Sequence, residues 1–429
     1  MKALQQNTEK ENALFSSIAH YMQQNSVGQH RKKSLDLLQA AGLPSRRVEA
    51  WHYTDLRRFL EKFSGVFIEA KEKTKAVELP PLFSNAFVFT TTSAGAAVSE
   101  LSSSLEKGAS FAVMNSPLLQ PYEEEAGKSA LHLGGASDVG GHANYALWQA
   151  GASLVIEEGG KLTRPIEWQN SGASHTGFYV ELQKNSQATI IERQSGAGAG
   201  APCFKTSQAH VKLGENAELT WVILQDAEDM VLDLAQFRAV LNKSAKLTLF
   251  VVQKGASLLR REIKVDLCGE GADFQLRGIN LLSGKTHSDI TMQVRHLVEE
   301  TSSREIIRNI AKDTAQGVFQ GFIGVDQVAQ KTDAKMACNT LLLSEDASFF
   351  MKPELEIFAD DVACGHGATI AQLNPEQLFY LKSRGISDND ARQLLLVAFV
   401  AELLQDIPAE EMQKVLYSWL HDYLLVYAA

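Results

Sequence analysis

The chain has 429 residues, 45% of them hydrophobic, and a net charge of −10 from 41 Lys and Arg against 51 Asp and Glu. A chain of this length can bury a large core, and the dispersed basic residues leave no electrostatic footprint for nucleic acid, so protein or small-ion partners are expected. The length admits about three domains, or fewer if one is an elongated β unit. The N-terminal stretch MKALQQNTEKENALF lacks the apolar run of a signal peptide, and the apolar run from Leu394 to Val400 is too short to cross a bilayer. Cys203, Cys268, Cys338 and Cys364 are scattered with no C-x-x-C pair, which argues against a disulfide framework and against a self-contained metal cage. A soluble cytoplasmic protein with no membrane contact is expected.

Residues 1 to about 60 read as helices. Leu14, Ile18 and Tyr21/Met22 form one stripe, and Leu35, Leu37, Leu38 and Ala41 a second, which ends at Gly42 and Pro44. Trp51 and Tyr53 read as packing anchors rather than ligand contacts. From Val77 to about residue 150 the signals are mixed, with a β-rich FVFTTT at 87 to 92 and a helix-like stretch from Asp138 to Ala150. This gives a mixed N-terminal segment, residues 1–150.

A rhythm runs through the middle. NSQATII, GENAELTW, NKSAKLTL and GEGADFQL each pair a polar corner with a β-rich run, and their alanines, 188, 217, 245 and 272, are spaced by 29, 28 and 27 residues. SEDASFFM, with Ala347, reads as a fifth corner of the same type. Strand content at this period predicts a β-solenoid over residues 151–372; a closed β-sandwich is the alternative, though it has no reason to keep one small residue at a near-constant spacing. SGKT at 283–286 lacks the Walker A spacing and runs into a strand-like alternation, and GAGAGAP at 196–202 lacks a dinucleotide spacing and reads as a loop. Neither predicts a nucleotide site, so ATP dependence would have to come from a partner.

The stretch KPELEIFADDVACGHGATIA, 352–371, places a thiol and an imidazole two residues apart in a strand-like run. Alternation puts Asp360, Val362, Cys364 and His366 on one face and leaves Gly365 and Gly367 almost bare on the other. Two ligands do not complete a site, so Cys364 and His366 would need donors from elsewhere to hold metal. A small buried Cys beside a hydrogen-bonded His is the alternative. Lys352, Glu354 and Glu356 alternate ahead of the pair and read as a solvated face, with a border to the pair as the alternative. His132, His142, His175, His210, His287 and His296 have no thiols or carboxylates at ligand spacing and read as surface or satisfied core histidines. From residue 373 to 429 the period is helical. Ser387 with Asp390 makes a capping start, followed by a stripe of Ala391, Leu394/Leu395, Ala398 and Ala401/Glu402. Pro408, Glu410 and Glu411 open a second helix, with Met412, Val415/Leu416, Trp419 and Tyr423 on one face. This C-terminal helical unit would either close an end of the solenoid or present a docking surface.

From Gln316 to Phe399 the chain resembles the SufB/SufD family, the scaffold subunits of the Suf system for iron-sulfur cluster assembly. The pieces are GVFQGFIGV (317–325), KTDAKMACNTLLL (331–343), KPELEIFADDV with C-x-HGAT, and YLKSRGI followed by LLLVAFVAEL. LPSRRVEAWHYTDL (43–56) is similar to a block of the SufD branch, and Gly365 stands where Ser is common in the family. The resemblance implies a mainly β protein with flanking helices, its core a right-handed parallel β-helix. It implies a non-enzymatic scaffold in complex with a SufB-like subunit, paired through the β-helix, and a SufC-like ABC ATPase at the C-terminal helices. A transient iron or iron-sulfur cluster would be shared at the SufB interface, with His366 the first choice of ligand and Cys364 the second, and none held stably by the lone chain. Alone, the chain could pair as a homodimer. The rival classes are a polysaccharide-active β-helix enzyme, which needs clustered carboxylates and rows of exposed aromatics, and a self-associating structural solenoid.

Overall fold

The computed structural model describes residues 9–24, 29–62, 79–92, 95–99, 102, 104–114, 138–170, 172, 174–195, 203–227, 229–407 and 410–428. The loop at 196–202, His132 and Pro408 lie outside them. Two sheets face each other across one apolar interior. From Ala150–Ile156 onward successive strands alternate between the sheets, and each pairs in parallel with the second strand after it. The chain is therefore a parallel β-solenoid, as the rhythm of corners predicts. The interior is filled by alternate residues of each strand, among them Trp168, Phe178, Trp221, Phe237, Phe274 and Phe319, all essentially fully buried.

The corners explain the repeat and correct its phase. At one corner Asn185, Asn216, Ser244, Glu300 and Lys331 adopt φ between 54° and 60°, and Gly271 adopts 73°. The left-handed conformation turns the chain sharply, and the next residue points inward where space is tight. Backbone hydrogen bonds link these inward positions in one column: Ser186, Ala217, Ala245, Ala272, Thr301 and Thr332. Ala217, Ala245 and Ala272 belong to it, but in the first turn the position is held by Ser186, and Ala188 instead pairs with Leu219. An alanine two residues further along faces inward as well, so it mimics the corner residue. Ala347 stands in the column of the opposite corner, with Ala315, and directly precedes a strand of the other sheet. SGKT at 283–286 is also a corner: Gly284 has φ 62°, and the strand His287–His296 follows directly.

Helices cover the flanks of the sheets. The helices Glu9–Gln24, Gln29–Ala41, Leu56–Lys62 and Val139–Leu147 pack on the outer side of one sheet, with Leu14, Ile18, Met22 and Trp51 against Phe204, Leu232, Leu234 and Leu258. Leu37 is exposed rather than part of the expected stripe; Leu35 and Leu38 supply the contact. The polar side chains beneath are paired: Arg260 meets Asp289 at 2.5 Å and Glu262 at 3.1 Å, all three buried. Breaking such a pair costs far more than breaking the exposed Lys184–Glu215 pair at 3.0 Å, because a charge would be stranded away from water.

The C-terminal helices Asp388–Ala401 and Glu410–Ala428 lie along the flank of the other sheet, with Leu396, Val400, Leu416 and Leu420 against Val222, Phe250, Ile279 and Ile310. They cover a side, not an end. Ser387 caps the first of them as expected, accepting from the Asp390 N–H at 3.1 Å. Its buried stripe is Ala391, Leu396 and Val400, whereas Leu394 and Ala398 are exposed. The run LLLVAFVA is apolar on nearly every side, so its period alone does not select the inward face.

Candidate functional site

The two ends of the solenoid are built differently. At the N-terminal end each sheet finishes in an antiparallel strand, Gly95–Val98 on one and Ala109–Met114 on the other. At the C-terminal end both sheets stop on a parallel edge, Ser348–Ile357 in one and Ala363–Ala371 in the other, each paired on one side only. An unpaired edge is a row of free N–H and C=O groups, a template for another strand.

Cys364 and His366 lie on this last strand. Register places Cys364 opposite Ala334 and His366 opposite Met336. Ala334, Met336 and Cys338 line the interior, so Cys364, His366 and Ala368 face the same way, into the open mouth of the solenoid. Cys364 is partly buried and packs against the core, whereas His366 is exposed. Burial pushes the Cys364 thiol up, and the Asp333 carboxylate acts in the same direction against a hydrogen bond from the Ala334 backbone. The lone chain thus holds Cys364 as a protonated thiol. On the opposite face, a Cβ added at Gly365 or Gly367 would meet nothing within 4 Å.

Among the described residues no three His, Cys, Asp or Glu side chains gather closely enough to hold a metal ion. Cys364 and His366 are brought to one face at one end, and no further donor among the described residues joins them. Lys352, Glu354 and Glu356 are on the outer face of the neighbouring sheet, with Lys352 bridging Glu49 at 2.6 Å and Glu354 at 2.9 Å. They do not border the pair. Three other histidines are held within the fold: His175 bonds Thr206 Oγ1 at 2.9 Å, His296 bonds Thr301 at 2.8 Å and Ser303 at 3.1 Å, and His287 bonds Thr54 Oγ1 at 3.0 Å. Burial lowers His175 to about 3 and His296 to about 4.

Two interior residues below the mouth had no sequence signal of their own. Cys338, one strand in, is buried and accepts from Asn309 Nδ2 at 3.3 Å, and burial raises its thiol to about 12. Glu305, opposite Met336, is wholly buried, and neither carboxyl oxygen has a geometrically sound hydrogen-bond partner. Burial raises it to about 8. Only strand register reveals that both stand in the columns beneath the Cys364 strand.

No helix among the described residues is long and apolar enough to cross a membrane. Residues 166–399, more than half of the chain, match the family described as SUF system FeS cluster assembly, SufBD core domain. The chain is 29% identical to an iron-sulfur cluster assembly SufBD family protein of Synechocystis over 89% of this chain and 88% of that protein. It is 27% identical to the iron-sulfur cluster assembly protein SufD of Escherichia coli, over 89% of this chain and 90% of that one. A SufBD family protein of Staphylococcus saprophyticus is 24% identical over 62% of this chain and 58% of its own length. With most of its solenoid and the Cys364–His366 strand inside the matched region, the chain belongs to the SufB/SufD family of iron-sulfur cluster assembly proteins.

Proposed function

We propose that this chain is a SufD-like, non-enzymatic scaffold subunit that works in the cytoplasm by pairing its bare C-terminal solenoid end with a SufB-like solenoid. The asymmetry of the two ends carries the reading. One end is finished by antiparallel strands, while the other leaves two parallel edges unpaired. A second solenoid adding to those edges would continue both sheets and bury the exposed Phe358 and Ile370.

In such a pair Cys364 and His366 would sit at the seam. A thiolate and an imidazole suit iron, and the remaining donors would come from the partner. The nascent iron-sulfur cluster is cargo here, held between subunits and released when they move. Neutralising thiol burial is part of the mechanism: Cys364 must lose its proton to bind iron, and a cation at the seam favours the thiolate.

The C-terminal unit offers the dock for a SufC-like ABC ATPase. Helix Pro375–Ser383 has no buried residue, and its Phe379 and Tyr380 project into solvent at 73% and 61% exposure. A polysaccharide-active enzyme would need an open sheet flank, and helices occupy those flanks here. Homodimer formation by the lone chain uses the same bare edges in place of the SufB-like subunit.

The test is co-expression with SufB-like and SufC-like partners, followed by iron and sulfide analysis of the purified complex. A stable complex that accumulates both elements supports the scaffold reading. A chain that ignores both partners and stays a monomer overturns it.

A further inference from the structure

The segment Glu49–Thr54 turns over the outer face of one sheet and reaches four of its strands up to the open end. Arg260 lays its guanidinium on the Trp51 ring at 3.9 Å, and Thr54 Oγ1 bonds His287 Nε2 at 3.0 Å and the Asp289 carboxylate. Gln320 donates to the Ala50 carbonyl at 3.1 Å. Tyr53 then stacks on Phe350 with centroids 5.3 Å apart, and Glu49 pairs with Lys352 at 2.6 Å. These partners stand on four successive strands of the sheet, the last being the edge strand Ser348–Ile357. The loop is tied across its base, where Arg46 Nε donates to the His52 carbonyl at 2.9 Å and His52 Nδ1 donates to the Arg46 carbonyl at 3.2 Å.

The buried Arg260 and Asp289 anchor this segment through Trp51 and Thr54, so Glu49 and Tyr53 on the same segment can hold a strand that would otherwise fray. A strand paired on one side is the first part of a sheet to open. The two edge strands differ in this respect: Ser348–Ile357 is half-buried over most of its length, whereas Ala363–Ala371 is mostly exposed. A pairing edge that is already ordered spares the partner the entropy of ordering it.

We propose that residues 49–54 form a clamp that holds the edge strand Ser348–Ile357 in register, with Tyr53 and Glu49 as positioning residues for the subunit that pairs there. The clamp itself is a property of this chain; only its effect on pairing rests on the end-on reading above.

The experiment uses the full chain carrying Tyr53→Ala and Glu49→Gln, both outside the strand. Amide hydrogen exchange across 349–355 is expected to quicken roughly fivefold to tenfold, the effect of losing one aromatic stack, while amides of His287–His296 keep wild-type protection. Tyr53→Phe should restore the slow rate, because stacking does not need the hydroxyl. Mixed with a SufB-like chain, the double variant should bind more weakly by a similar factor. Unchanged exchange in a folded double variant overturns the clamp, and Tyr53→Leu replaces the alanine form if that form does not fold. Faster exchange with unchanged partner affinity overturns the positioning role. A wild-type chain that binds no SufB-like partner defeats the pairing reading, and the exchange measurement still decides the clamp.

Discussion

His366 stands directly opposite Met336 across the last pair of parallel strands, and Met336 stands directly opposite Glu305 across the pair below. One inward column thus runs from an exposed imidazole through a buried thioether to a carboxyl with no exposure at all. The column grades from surface chemistry to core energetics within three strands. Each of its ends can be tested separately.

At the open end, His366→Ala should abolish cluster assembly in the complex with SufB-like and SufC-like subunits. An exposed imidazole packs against little, so stability should change by less than about 0.5 kcal/mol. Iron and sulfide content of the complex, read beside the melting temperature of the subunit, checks both halves. A marked loss of stability with assembly intact would make His366 a packing residue.

Purified without partners, the chain should carry well under one iron. Cys364 and His366 are only two donors, and the thiol is held protonated by its partial burial. Iron analysis after anaerobic loading and desalting decides this, with stoichiometric retention as the contrary result.

Glu305 makes stability depend on pH in the opposite sense to a salt-bridged acid. Its folded value is raised to about 8 from an ordinary 4.5, so between those values the folded chain holds a proton that the unfolded chain has released. Stability should therefore be greatest below about 4.5 for this group, and fall as pH rises toward 8, by up to about 1.4 kcal/mol per pH unit. Glu305→Gln, which keeps the shape and cannot ionise, should remove that slope. Urea unfolding of both forms at pH 6 and pH 8.5 tests it: the glutamine form should gain on wild type at the higher pH, and parallel pH profiles would reject the assignment.

The C-terminal unit separates docking from packing. Phe379→Ser with Tyr380→Ser should release the ATPase from the complex, leave SufB pairing intact and cost little stability, because helix Pro375–Ser383 buries nothing. Leu416→Ala or Leu420→Ala should instead cost about 2–5 kcal/mol, the usual range for a buried leucine. Pull-down of the ATPase alongside thermal melting distinguishes them. Among the polar positions, Gln413 is a poor docking probe, since its side chain holds the Ile407 carbonyl at 2.7 Å. ATPase retention by the folded Phe379/Tyr380 variant would move the dock elsewhere.

Local chemistry made much of the protein readable from its residues alone. Polar corners followed by small residues announced a solenoid because a left-handed turn and a tight inward position are demands of a few adjacent residues. Ser387 as a helix cap and the alternation that puts Cys364 beside His366 are likewise local. Tertiary structure decided what depends on register and on which face finds a partner. It moved the first corner from Ala188 to Ser186, set Ala347 in the opposite corner, and turned the helix after Ser387 onto Leu396 and Val400 instead of Leu394. It also laid the C-terminal helices along a flank, drew Trp51 and Thr54 onto Arg260 and Asp289 over more than 200 residues of chain, and sank Glu305 beneath Met336. Such pairings join residues far apart in sequence, and no local spacing encodes which strand will lie beside which.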